Sequence, residues 1–168
     1  MNSTDIKSLK TEKKGAIKET LSFGLWLLLG LFIATRLVGT ARVIGDSMMP
    51  TYMDGDLVFI LKAGFTPSCG DVLVVESNDH YIIKRLIAKG ESTVDIEDRR
   101  VYVDGVLLDE PYTTKPTFAD TVEMPVKVSE NSLFLLGDNR TNSKDSRCDE
   151  VGNIPEKAVV GKVLFQIK

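Results

Sequence analysis

The segment from Thr20 to Thr35 carries no charged residue and is crowded with Leu21, Phe23, Leu25, Trp26, Leu27, Leu28, Leu29, Leu31, Phe32 and Ile33. A run like that has few places to go. It lacks the polar stripe that a helix packed on a soluble core turns toward water. As a helix it reaches about 24 Å, a little short of the roughly 30 Å hydrocarbon core of a bilayer. Lys18 and Arg36 can snorkel to the two interfaces, and Leu37 and Val38 add apolar length beyond Arg36. A cleavable leader is the competing option, and Gly39-Thr40-Ala41 loosely fits its small-residue site. Arg36 interrupts the approach to that site, and the apolar run is long for a leader, so 20–38 reads as an uncleaved transmembrane anchor. Residues 1–19, with Lys7, Lys10, Lys13, Lys14 and Lys18 against Asp5, Glu12 and Glu19, read as a polar tail. Lysines on that side place the tail in the cytoplasm and everything after Val38 outside, in a single-pass arrangement in the cell membrane.

From Ala41 to the end, residues 41–168, the pattern becomes that of a β-rich domain. Leu57-Val58-Phe59-Ile60 follows the turn signal Asp54-Gly55, and Asp71-Val72-Leu73-Val74-Val75 follows a loop at Pro67–Gly70. Tyr81–Ile87 is a third apolar run with two cations inside it, and Asp104-Gly105 before Val106-Leu107-Leu108 is a tight-hairpin signal. Glu110–Val122 reads as an irregular excursion, Ser132–Leu136 as a strand, and Ala158–Ile167 as the closing strand. With no convincing helix outside the anchor, the fold is expected to be mostly β behind one transmembrane helix. The net charge of −3 gives no reason to expect nucleic acid as a partner. One histidine, His80, argues against a zinc site, and neither metal nor cofactor is expected. Cys69 and Cys148 can be bridged or free, and their spacing leaves both open.

Three stretches carry possible chemistry. Gly45-Asp46-Ser47-Met48-Met49-Pro50-Thr51 sets a serine on a bend, because Pro50 has no N–H for a ladder and biases Met49 away from the helix. A strand ending in a turn with an incidental serine is the plain reading, and a presented nucleophile is the functional one. Lys84 lies inside an apolar strand, where it either snorkels out of an edge or is desolvated. A neutral lysine is an effective base for a serine hydroxyl where no histidine serves. Gly137-Asp138-Asn139-Arg140-Thr141-Asn142-Ser143-Lys144-Asp145-Ser146-Arg147 is either a solvated loop or a hydrogen-bonded shell that fixes a base.

Together these stretches resemble the bacterial type I signal peptidases, membrane-bound Ser-Lys endopeptidases. Gly70-Asp71-Val72-Leu73-Val74, Val101-Tyr102-Val103-Asp104-Gly105 and Glu110-Pro111-Tyr112 extend the resemblance, in the family's order, over nearly all of 41–168. The Gly-Asp-Ser-Met form and single anchor are similar to the compact Gram-positive-type members. Lysine at 84 separates the chain from the endoplasmic-reticulum-type relatives, which use histidine.

The resemblance implies a β-rich signal-peptidase-like catalytic domain in which Ser47 is the nucleophile and Lys84 the general base. It implies that Ser143 hydrogen-bonds the lysine amine, that Asp138 pairs with Arg85, and that Asp145 and Arg147 brace the same loop. Val43 and Ile83 would line small pockets selecting Ala-x-Ala before the cleaved bond of a preprotein's signal peptide. Met48, Met49, Leu57 and Phe59 would form an apolar face on the bilayer. Where some members carry a serine two residues before the nucleophile, this chain has Gly45, so the oxyanion must be held by the Ser47 N–H and its neighbours. A self-cleaving repressor-type protease would need a DNA-binding segment where the apolar run stands. A catalytically silent, anchored β-module that binds extended peptides is the remaining alternative, and it would be expected to have lost Ser47, Lys84 or Ser143.

Overall fold

The computed structural model describes residues 3–167, with side-chain surroundings from residue 19 onward except at position 34. The chain divides into two units, Met1–Leu37 and Val38–Lys168. The first is one helix, α1, Ser3–Leu37. Its portion Glu19–Leu37 is long and apolar enough to cross a membrane, and its large apolar side chains from Leu21 to Ile33 are exposed. The stretch expected as a polar tail is therefore helical from Ser3, while Met1 and Asn2 lie outside the described residues. Lys and Glu are good helix formers, and no proline interrupts them. Val38, expected to extend the anchor, instead opens a strand: the β-branched side chain and Gly39 after it disfavour another helical turn.

The second unit holds two antiparallel sheets. Its strands are β1 Val38–Arg42, β2 Leu57–Leu61, β3 Val72–Ser77, β4 His80–Lys89, β5 Thr93–Glu97, β6 Arg100–Val103, β7 Val106–Leu107, β8 Val126–Lys127, β9 Ser132–Leu136, β10 Ile154–Pro155 and β11 Val159–Ile167. The larger sheet runs β1-β2-β11-β3-β4-β9-β10, and the smaller β7-β6-β5-β8. The hairpin signal at Asp104-Gly105 is a tight turn with both residues at positive φ, 51° and 76°. Asn78-Asp79 joins β3 to β4 and Asp98-Arg99 joins β5 to β6 in the same left-handed geometry without a glycine. Between Leu108 and Met124 the backbone forms neither helix nor strand, as the sequence suggests.

Alternation along β2 turns Val58 and Ile60 into a core with Val43, Met48, Val72, Val74 and Val163. Strand β9 is buried along its whole length, which is why it reads as an unbroken apolar run. The opposite face of β2 carries Leu57 and Phe59, in register with Ile167 and Phe165 on β11. The Phe59 and Phe165 rings lie 4.8 Å apart. Met48, expected on that outer face, is 1% exposed and belongs to the core. The two-residue periodicity of β2 selects its outer members, whereas Met48 sits in a turn where no periodicity applies.

Candidate active site

Strands β1 and β4 are separated in the sheet by β2, β11 and β3, yet residues of both line one cavity of about 520 Å³. The sheet therefore curls, and Ile60, Val74 and Val160 of the intervening strands form part of the lining. Val43 and Ile83 lie in this wall, with Ser47 and Lys84 at the same cavity.

Ser47 is held in a self-bonded loop. Val43 N–H donates to Asp56 O at 2.8 Å, Gly55 N–H to Val43 O at 2.9 Å, and Met49 N–H to Asp46 O at 3.1 Å. Gly45 N–H donates to Asp54 Oδ1 at 2.7 Å. Gly45 itself has φ +82°, a conformation that only glycine adopts cheaply. Buried Met48 fixes the residue after Ser47, so the bend is held from inside as well.

Lys84 is paired with Leu73 across β3 and β4, and only 4% of it is exposed. Its Nζ lies 2.8 Å from Ser47 Oγ and donates to Ile83 O at 3.0 Å. Burial lowers the lysine's pKa from its ordinary 10.5, while the charges of Asp145 and Asp138 pull the other way. An amine pushed toward neutrality, with its lone pair available to a hydroxyl 2.8 Å away, can accept that hydroxyl's proton. Ser143 departs from the expectation. Its Oγ is buried and without a hydrogen-bond partner, and the lysine's other acceptor is the Ile83 carbonyl.

The polar loop after β9 exposes Thr141, Asn142 and Lys144 but turns its ion-pairing residues inward. Asp138, Arg140, Asp145, Ser146 and Arg147 are all buried. Arg85 reaches Asp138 with two bonds, Nε to Oδ1 at 2.8 Å and Nη2 to Oδ2 at 2.6 Å. Arg147 grips Asp145 likewise, at 2.8 and 2.9 Å. Asp145 Oδ2 accepts the Gly137 N–H at 3.0 Å, and Arg147 donates to the Arg140 carbonyl at 2.9 Å. Buried charges persist only when paired and fully bonded, and these are.

Several contributors carried no signal of their own in the sequence. Asn139 donates its N–H to Ser47 O and its side-chain amide to Asp46 O, both at 3.0 Å, clamping the serine's own backbone. Thr51 Oγ1 donates to Asp138 Oδ2 at 2.5 Å. Arg140 pairs with Glu110 and donates to Thr117 Oγ1 at 2.7 Å, tying the irregular excursion to the loop. The Glu110-Pro111-Tyr112 stretch was legible as a motif, but not the arginine it meets. Cys69 and Cys148 are free, the first exposed and the second half-buried.

A family model described as signal peptidase, peptidase S26, matches residues 17–167. Signal peptidase I T of Bacillus subtilis (strain 168) is 34% identical, covering 96% of this chain and 93% of its own. Signal peptidase I of Bacillus licheniformis is 35% identical, covering 92% of this chain and 90% of its own. The crystal structure of a signal peptidase I from Enterococcus faecalis V583 superposes with a TM-score of 0.52 at 31% identity, over 61% of this chain and 100% of that one. Sequence over nearly the full length and the β architecture agree: the chain belongs to the signal peptidase family, peptidase S26, and is a serine peptidase.

Proposed function

We propose that this peptidase removes N-terminal signal peptides from exported preproteins after Ala-x-Ala-type sites, with Ser47 as nucleophile and Lys84 as general base. The observation that carries the reading is the buried amine 2.8 Å from the serine hydroxyl. Ser47 Oγ attacks the scissile carbonyl carbon while neutral Lys84 takes its proton. The tetrahedral oxyanion is held by the Ser47 N–H and adjacent donors. Collapse breaks the C–N bond, and the lysine's proton goes to the departing amine. Water, deprotonated by the same lysine, then hydrolyses the acyl-enzyme and restores both residues.

The substrate lies extended in the groove. β1 is an end strand, and β4 pairs with β9 only from Arg85 onward, so residues 80–84 keep one edge unpaired. Those two edges suit a peptide bound by main-chain hydrogen bonds. The walls around Val43 and Ile83 are apolar and closely lined, which favours small side chains at the two positions whose side chains point into them. The unit α1 is the membrane anchor, and the outer face of β2 and β11, with Phe165 and Ile167 exposed, rests on lipid.

The test is cleavage of a preprotein by detergent-solubilised protein, followed as a size shift. Ser47→Ala and Lys84→Ala should each remove nearly all processing, and the double variant should be scarcely worse, because residues that act as a unit are not additive. Near wild-type cleavage by Lys84→Ala would sink the assignment of the base.

A further inference from the structure

Tyr112 stands outside every role given so far. Two guanidinium groups approach its ring, with Arg85 Cζ 4.0 Å from the ring centroid and Arg140 Cζ 5.8 Å from it. Its hydroxyl donates to Glu110 Oε1 at 3.1 Å, the carboxylate that pairs with Arg140. One aromatic side chain thus contacts the arginines of two part-buried ion pairs, Arg85–Asp138 and Arg140–Glu110. We propose that Tyr112 is a positioning residue for Lys84: its ring clamps Arg85 onto Asp138 and so keeps the neighbouring lysine able to act as a neutral base. This rests on Lys84 being the base.

The physical argument starts from charge. The amine meets Ser47 from the loop after β1 and feels the charges of Asp145 and Asp138 from the loop after β9, where Arg147 pairs with Asp145. Tyr52 sits within reach of the Arg85 and Asp138 charges. The lysine's own strand contributes Arg85, and Arg42, Lys62 and Tyr81 stand on the walls of the groove. Asp138 and Asp145 both favour the protonated lysine, against the burial that disfavours it. Each carboxylate is offset by an arginine. Arg147 is buried on its partner's side, but the Arg85 side chain is 11% exposed. Its remaining support is Asp138 itself and the Gly70 carbonyl at 2.7 Å. The tyrosine ring closes the open face of that guanidinium, a contact strongest where water is excluded. Burial holds the Tyr112 hydroxyl far above its ordinary pKa, so the ring meets both arginines as a neutral phenol. Removing the ring admits water to the pair, frees Arg85, and leaves Asp138 to raise the lysine's proton affinity. Tyr112 is not among the residues that line the cavity, so the KM of its variants tells positioning from a direct substrate contact.

The experiment is the pH profile of kcat for a signal-peptide substrate, in detergent, on the full chain. Tyr112→Leu should move the acidic limb upward by about half a pH unit or more, with the high-pH plateau and KM close to wild type. Tyr112→Phe, which keeps the ring and loses only the bond to Glu110, should follow the wild-type profile. In an Arg85→Lys background, which removes the flat guanidinium, Tyr112→Leu should add no further shift. A folded Tyr112→Leu protein with an unmoved limb, or with the same fractional loss at every pH, overturns the proposal. So does an undiminished shift in the Arg85→Lys background. A wild-type profile with no acidic limb at all overturns the lysine base itself, an outcome distinct from a limb that is present and does not move.

Discussion

Gly45 combines two properties that pull a substitution in opposite directions. Its φ of +82° lies in the left-handed region, while an added Cβ would meet nothing within 4 Å. Gly45→Ser should therefore cost about 1 kcal/mol of stability through backbone strain. The space permits folding, and kcat should stay within about tenfold of wild type if donors other than a hydroxyl already hold the oxyanion. Single-turnover cleavage beside a denaturant titration separates the two effects; a gain well above tenfold would show the hole to be incomplete. Lys84 has a signed pH consequence. Its folded pKa lies below the ordinary 10.5, and in the proposed mechanism the neutral form is the active one. Activity should rise with pH and level off before an ordinary lysine would have titrated; a flat profile from mildly acidic to alkaline conditions contradicts it. Between the lowered and ordinary values the unfolded chain binds the proton that the folded chain refuses. Stability contributed by this group therefore grows as pH climbs through that window. Lys84→Met should abolish cleavage yet raise the melting temperature by a few degrees near neutrality, since it removes a buried amine.

At the scale of elements, the Ser47 loop and the loop after β9 form one object. Gly137 marks where they touch. A Cβ there would come within 2.1 Å of Ser143 Oγ and 2.5 Å of the Ser47 carbonyl oxygen. Ser143 can turn away; the backbone carbonyl of Ser47 cannot do so without moving the serine. Gly137→Ala should lower kcat by about a hundredfold, with far less effect on secondary structure, because misplacement of about 1 Å is enough to cost that much. Circular dichroism alongside the rate distinguishes this from unfolding, and a rate near wild type would show that the two loops tolerate separation. The excursion between β7 and β8 matters for the same reason. It lacks helix and strand, but Glu110 and Thr117 satisfy Arg140, whose own Nε donates to Gly137 O at 2.9 Å. The loop that carries the site is thus braced from the smaller sheet's side as well.

The whole molecule is an apolar helix followed by a β unit with its own cores. A chain beginning at Val38 should fold to the same sheets and cleave a soluble signal-peptide substrate in detergent, while losing most of its co-sedimentation with membranes. A truncated chain that fails to fold would show that the unit depends on α1. The lysines ahead of the apolar run predict that the β unit faces outward. Protease added to intact protoplasts should digest it; full protection with cleavage of the N-terminal residues would reverse the orientation.

Local signals in the sequence were enough for the apolar helix, for most strands, and for the three stretches that meet at the site. Each rests on a short-range cause: an unbroken apolar run, a two-residue alternation, an Asp-Gly turn, a proline after a serine. The turns at Asn78-Asp79 and Asp98-Arg99 were less legible, because they reach the left-handed region without the glycine that marks Asp104-Gly105. The switch from helix to strand at Val38 was only weakly marked: a β-branched residue and Gly39 disfavour a further helical turn, and pairing with Leu61 makes the strand. What the tertiary structure alone decided is which polar groups are buried together. Asp138 is 1% exposed and Arg140 2% in a stretch that composition describes as a surface loop. Their burial follows from partners dozens of residues away, on β4 and in the excursion, that no local pattern announces. The same holds for Met48, which packs into the core with residues of β2, β3 and β11, and for Lys84, whose burial exists only in the folded sheet.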